Sequence, residues 1–250
     1  MNGKRPRLVG LTELLRERYP DLADAEAAIR DGTVDVDGAI VMNPRSRVRS
    51  DAVIRLRQPR GLRGAAKLIA ALDRFDVAAA GRAALDLGAA TGGFTDVLLR
   101  RGARVVYAVD AGFGQLLGSL RQDERVRNLE RTNLADLTPE LVPDRVDVVT
   151  VDLSYLSVAS AIGQVEGLRF APDADLIALV KPMFELGLGR LPTGQQELDD
   201  AVERAASGVR QGPWSVQGVM RSPVSGSRGA IEFLLHAVRA ESDPPLETLA

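Results

Sequence analysis

The chain has 250 residues and a net charge of −2, with 45% hydrophobic and 26% charged residues, the proportions of an ordinary globular protein long enough to bury a proper core. It has no cysteine and one histidine, His236, which excludes a disulfide framework, thiolate metal sites and histidine clusters, so any catalysis must use lysine, carboxylates, hydroxyls or a bound cofactor. No apolar run reaches the roughly 18 residues that cross a bilayer, and no signal-like core follows the charged start, so the expected setting is cytoplasmic, with no membrane and no metal.

The spacing predicts helices over 11–18 and 21–31, then short strands over 34–36, 39–41 and 53–56. Gly32 ends the second helix, and Asp37-Gly38 is a hairpin signal. Charge is unevenly spread, with 13 basic against 9 acidic residues over 1–63. Between Pro44 and Arg63, seven arginines stand against the single acid Asp51. Such a stretch suits a phosphate backbone, although a solvated linker explains the charge equally well. Arg45, Arg47, Arg49, Arg60 and Arg63 are the candidate RNA contacts. The order of elements and the run Ile29-Arg30-Asp31-Gly32-Thr33-Val34-Asp35-Val36-Asp37-Gly38 resemble the small RNA-binding domain of ribosomal protein S-four. That resemblance implies a small α+β RNA-binding-like domain over 1–58, followed by an arginine-rich linker over 59–63. Asp21, Leu22 and Asp24 stand where that family usually carries serine, arginine and lysine.

From residue 64 the pattern changes to a helix over 64–75 and strands over 82–87, 104–109, 126–130, 146–151, 174–180, 215–220 and 231–235, with helices between the earlier strands. Several strands are continuously apolar, as in a parallel sheet covered on both faces, so an open, doubly wound α/β domain is expected over 64–240 and a loose tail over 241–250. Ligands of such sheets sit beyond the carboxyl ends of the strands. The first strand runs into Asp86-Leu87-Gly88-Ala89-Ala90-Thr91-Gly92-Gly93-Phe94, a glycine-rich turn that lets a ligand approach the backbone. The next strand leads to Asp110, 24 residues after Asp86, where a carboxylate can accept both hydroxyls of a ribose. Nicotinamide and S-adenosyl-L-methionine are both candidates, but the spacing lacks Gly-x-Gly-x-x-Gly. Asp86 suits the cationic amino-acid part of the latter.

Lysine adds a second clue, because 29 of the 32 basic residues are arginine and only Lys4, Lys67 and Lys181 are lysine. Lysine can lose its proton when buried whereas arginine stays charged, so a lysine kept against that bias points to proton chemistry. Lys181 follows a buried-strand pattern, Asp152 ends another, Lys67 lies on the helix before the first strand, and Glu232 lies inside an apolar strand. A glutamate there needs a cation, which either Lys67 or Lys181 can supply.

The runs Leu85-Asp86-Leu87-Gly88-Ala89-Ala90-Thr91-Gly92-Gly93-Phe94-Thr95, Tyr107-Ala108-Val109-Asp110, Val151-Asp152-Leu153-Ser154, Leu179-Val180-Lys181-Pro182 and Ile231-Glu232-Phe233-Leu234 resemble the TlyA (hemolysin A) family of RNA ribose 2′-O-methyltransferases, which is of the FtsJ/RrmJ type. The resemblance covers nearly the whole chain. It implies a Rossmann-like methyltransferase domain that uses S-adenosyl-L-methionine, RNA and most directly ribosomal RNA as partner, and a catalytic tetrad at Lys67, Asp152, Lys181 and Glu232. Donor contacts are then expected at Asp86, Gly88, Ala89, Thr91, Gly92, Gly93, Phe94, Asp110, Asn133 and Asp152, with Lys181 nearest the acceptor oxygen. Departures fall at Ala65, where the family carries a second glycine ahead of Lys67, at 186–195 and at Ala230. A small-molecule O-methyltransferase and a non-catalytic RNA-binding protein are the alternatives, and His236, Trp214 and Tyr155 read as packing or rim residues.

Overall fold

The computed structural model describes residues 7–22, 24–30, 32–56 and 63–240. The first region contains β1 (Leu8–Gly10), α1 (Leu11–Arg18), α2 (Ala25–Arg30), β2 (Val34–Val36), β3 (Ala39–Ile40), β4 (Arg47–Arg49) and β5 (Ile54–Leu56). Leu11, Leu14 and Leu15 form one stripe of α1 and pack on Ile29, Val34 and Ile54 in a small core of their own. Helix α2 begins at Ala25 rather than at 21, because Asp24 Oδ1 accepts the amides of Glu26 and Ala27 at 2.9 Å each and so caps the helix. The pairing of β1 with β4 was not foreseen, since each has three residues and their partners, such as Leu8 and Arg49, lie far apart in sequence. The expected linker and tail, including Arg60, lie outside the described residues, except for Arg63, whose backbone opens the next helix.

The second region runs α3 (Arg63–Phe75), β6 (Ala83–Leu87), α4 (Gly93–Arg100), β7 (Val105–Asp110), α5 (Gly118–Gln122), β8 (Val126–Glu130), β9 (Val146–Val151), α6 (Val158–Gln164), β10 (Phe170–Val180), α7 (Pro182–Glu185), α8 (Gln195–Arg210), β11 (Trp214–Arg221) and β12 (Phe233–Arg239). Its strands form one seven-stranded sheet in the order β11-β12-β10-β9-β6-β7-β8. Strands β8, β7, β6, β9 and β10 pair in parallel, whereas β12 runs antiparallel to both β10 and β11. The chain leaves β6 toward β7 and later returns to β9 on its other side, which places a topological switch point at the carboxyl end of β6. One correction concerns Glu232, which precedes β12 instead of lying inside it; its carbonyl accepts the Ser222 amide at 2.9 Å and closes the β11–β12 hairpin.

Strand alternation decides which side chains meet. Leu85, Leu87, Val149, Val151, Leu176, Ala178 and Val180 face the layer that contains α6 and α8. Ala84, Val148, Ile177, Leu179 and Leu234 face the opposite layer, built from Leu68, Ala71 and Leu72 of α3 and Val97 and Leu98 of α4. By the same parity Asp86, Thr150, Asp152, Lys181 and Glu232 belong to the second layer. The layer that carries Lys67 on α3 is therefore the one toward which the strand-end polar groups project.

Candidate active site

Strand β6 ends at Leu87, and the chain turns at Gly88 with φ of 89°. A Cβ at this position would lie 2.5 Å from the Asp152 carbonyl oxygen, so glycine is what allows the ends of β6 and β9 to approach. The Asp152 amide seals the contact by donating to the Leu87 carbonyl at 2.9 Å. Ala89, Gly92, Gly93 and Phe94 are buried behind the turn, while Ala90 and Thr91 are exposed at its crest. At the end of β7, Asp110 Oδ2 accepts the Ala90 amide at 2.8 Å and Oδ1 accepts the Gly112 amide at 2.7 Å. Each oxygen retains capacity for a second hydrogen bond, and the residue is half-buried. Partial desolvation and the Asp110 carboxylate hold the Tyr155 phenol above its ordinary pKa, so Tyr155 lies within the field of Asp110. Asn133 is exposed and donates to Asp136 at 3.0 Å.

Asp86 departs from the expectation of a direct donor contact. It is fully buried, with Oδ2 accepting the Thr95 hydroxyl at 2.6 Å and Oδ1 the Thr150 hydroxyl at 2.9 Å. Burial pushes its carboxyl up to about 6 against the two hydroxyl hydrogen bonds, with the Asp152 charge adding to the rise. The motif shows the glycines and the acid, but the two threonines acquire their meaning only once α4 and β9 are folded against β6.

The lysines and acids resolve into two ion pairs. Lys67 Nζ lies 2.5 Å from Glu232 Oε2, with side-chain exposures of 8% and 6%. Lys181 Nζ lies 2.6 Å from Asp152 Oδ1 and 3.0 Å from Ser154 Oγ. The sequence left the cation for Glu232 open between Lys67 and Lys181; it is Lys67. Gly226, in the β11–β12 turn, permits this arrangement, since a Cβ there would collide with Glu232 Oε1. One member of each pair, Lys181 and Glu232, lines a single cavity of about 270 Å³, together with Ser154, Phe184, Pro192 and Ile231. Ser154 and Gly226 carried no assigned role in the sequence reading. The usable signal for Ser154 was its place two residues after Asp152, whereas nothing local marks Gly226.

Other polar groups are fastened elsewhere. His236 bonds Asp175 at 2.7 Å, Asp175 bonds Arg82 at 2.6 Å, and the Phe75 ring stacks on the imidazole, which makes this a packing cluster. Glu185 is buried and accepts the Val158 amide at 2.8 Å, tying α7 to the start of α6; burial pushes its carboxyl up. In the first region Arg45 and Arg47 are exposed, and Arg47 donates to the Leu8 carbonyl at 3.0 Å. Arg49 is chelated by Asp51 at 2.9 and 2.6 Å, so its charge is matched locally. The Arg60 expectation and the Arg63 side chain fall outside the described residues.

Residues 62–239 match the family described as FtsJ-like methyltransferase. The chain is 41% identical over 224 residues to "16S/23S rRNA (cytidine-2'-O)-methyltransferase TlyA" of Mycobacterium tuberculosis, covering 86% of this chain and 83% of that one. It is 33% identical over 186 residues to "Hemolysin A" of Brachyspira hyodysenteriae, covering 70% and 75%. Among solved structures it is similar to "Putative hemolysin from Streptococcus thermophilus", with a TM-score of 0.68, 29% identity and coverage of 96% and 90%.

Leaving one member of a buried ion pair without its partner costs about 3–5 kcal/mol, whereas apolar replacement of both members is often tolerated. Glu232→Ala is therefore expected to lower unfolding stability by about 3 kcal/mol or more. The double change Lys67→Met with Glu232→Leu should recover most of that loss in urea denaturation.

Proposed function

The chain belongs to the TlyA family of FtsJ-like methyltransferases, and from that premise we propose that it methylates a ribose 2′-hydroxyl of ribosomal RNA with Lys181 as the group that receives the hydroxyl proton. It is an enzyme, an S-adenosyl-L-methionine-dependent 2′-O-methyltransferase. The observation that carries the catalytic assignment is that Lys181 and Glu232, one member of each ion pair, line one cavity, with Asp152, the partner of Lys181, joined to the end of β6.

The residues present fit the donor. Gly88 lets the ends of β6 and β9 meet, Ala90-Thr91 is exposed, and Asp110 keeps hydrogen-bonding capacity for a ribose. The donor contacts are accordingly assigned to Gly88, Thr91, Asp110, Asn133 and Asp152, with the buried Ala89, Gly92, Gly93 and Phe94 shaping the loop and Asp86 behind them. When bound, S-adenosyl-L-methionine supplies an electrophilic methyl group.

The protein's task is to raise the nucleophilicity of the acceptor oxygen, because a hydroxyl at neutral pH is a weak nucleophile. In this reading Lys181 Nζ takes the 2′-hydroxyl proton while returning one of its own to Asp152 Oδ1, so the pair as a unit ends one proton richer. Ser154 fixes the direction of the amine through its hydrogen bond. Glu232, held by Lys67, forms the opposite side of the acceptor cavity. Phe184, Pro192 and Ile231 provide the apolar lining that excludes water around the nucleotide.

The first region, residues 1–58, is assigned to RNA binding, with Arg45 and Arg47 as phosphate contacts. Arg49, matched by Asp51, takes a smaller part, and Arg60 and Arg63 are assigned to the same task from the sequence alone. Among the described residues no helix is long and apolar enough to cross a membrane. The proposed setting is the cytoplasm, where a ribosomal RNA substrate is met.

Two measurements test this reading. Lys181→Met should lower methyl transfer to ribosomal RNA by about 10²–10⁴-fold, the usual range for loss of a general acid or base, while calorimetry shows donor binding intact; undiminished turnover would reject the role. Replacing Arg45 and Arg47 with glutamine should weaken RNA binding and reduce the slope of log affinity against log salt by about 0.7–0.9 per lost contact. An unchanged slope would remove these arginines from the interface.

A further inference from the structure

We infer that Asp86, Thr95 and Thr150 form a buried clamp that holds the donor loop in register with the Asp152 end of β9, so that Asp86 is a positioning residue for donor binding and not a donor contact. The inference rests on the methyltransferase reading above and goes further by assigning a task to side chains outside the tetrad and the exposed loop.

All three side chains have zero exposure, so none reaches solvent or a ligand in the crevice. Asp86 joins three elements through two oxygens, with Thr95 of α4 on Oδ2 at 2.6 Å and Thr150 of β9 on Oδ1 at 2.9 Å. The placement along the chain is what gives the contacts their leverage. Asp86 lies two residues before Gly88, Thr95 lies two residues after Gly93, and Thr150 lies two residues before Asp152. Asp86 and Thr150 are also register partners where β6 and β9 pair. A displacement of any one of the three therefore moves either the glycine loop or Asp152 against its neighbour.

The surroundings argue that this carboxylate is not there for packing. Its layer is apolar, with Ala84, Ala108, Val148 and Ile177 among the residues that face α3 and α4. An apolar side chain of similar size would fill the same space without desolvating a charge. A carboxylate adds direction, because each charge-assisted hydrogen bond fixes a distance and an angle that dispersion contacts leave loose. The like charge of Asp152 nearby raises the cost of keeping Asp86 ionised, and the two hydroxyls offset it.

The test uses the full chain and S-adenosylhomocysteine, an inert form of the spent donor, with affinity measured by titration calorimetry and the melting temperature measured for every variant. Thr150→Val deletes one hydroxyl at nearly constant shape and should weaken binding about tenfold, the effect of losing one hydrogen bond to a charged group. Thr150→Ser should restore it. Asp86→Asn combined with Thr150→Val should bind no more weakly than the poorer single variant, because both changes break the same unit. Thr95→Val cuts the other hydrogen bond and gives the same reading if Thr150→Val does not fold.

Weakened binding in Asp86→Asn with unchanged affinity in both valine variants would show a direct donor contact and overturn the clamp. Lower melting temperatures with unchanged affinity in the valine variants would reduce the cluster to packing and overturn it as well. Failure of the unaltered chain to bind S-adenosylhomocysteine would instead overturn the methyltransferase reading, and the clamp with it.

Discussion

The buried ion pair between Lys67 and Glu232 is the constraint on which the acceptor side of the molecule depends. The two residues are separated by 165 positions and lie 2.5 Å apart with little access to solvent. A charge withdrawn from water is tolerable only beside its partner, so α3 cannot slide along the sheet without exposing a large desolvation cost. The pair fixes α3 against the β11–β12 hairpin, and Gly226 leaves the space that the carboxylate fills. One wall of the cavity is thereby set by a contact that lies mostly behind it. Lys181, by contrast, is held by Asp152 and Ser154 at the cavity itself. The two lysines are chemically alike but differently placed: one is buried against Glu232, and the other lines the cavity, where the proposed proton transfer is assigned to it.

Strand alternation then explains how residues from four distant segments share a site. Asp86, Asp152, Lys181 and Glu232 all have the parity of the layer covered by α3 and α4, as their neighbours Ala84, Val148, Leu179 and Leu234 show. A one-residue slip in any of these strands would send its polar group to the α6 and α8 face. The antiparallel insertion of β12 belongs to the same logic. Its reversed direction brings the start of the strand, not its end, to the rim where the parallel strands end, and Glu232 stands immediately before that start.

Much of this was legible in the sequence, because the informative residues are conspicuous against their background. Three lysines among 32 basic residues single out Lys67 and Lys181, and the continuous apolar runs before Asp152 and Lys181 place both at strand ends. Helix α1 and strands β2, β8 and β9 have the bounds that periodicity predicts. What remained hidden depends on partners remote in sequence. The β1–β4 ribbon is too short to show a pattern of its own, and Asp24 looked like part of α2 until its side chain was seen to cap it. The choice of Lys67 for Glu232, the two hydroxyls on Asp86 and the need for glycine at 226 are properties of packed elements, with no local signature. Arg49 belongs here too, because the charge count shows one acid among seven arginines but not that Asp51 bonds Arg49 in particular.

The most direct measurement of the account is a crystal structure of the full chain with S-adenosylhomocysteine and a ribosomal RNA fragment bound. The account predicts the acceptor 2′-oxygen at about 3 Å from Lys181 Nζ, within hydrogen-bond reach, with Lys67 still joined to Glu232 behind the cavity. An acceptor oxygen seated away from Lys181, or a Lys67 side chain turned out to solvent, would contradict it.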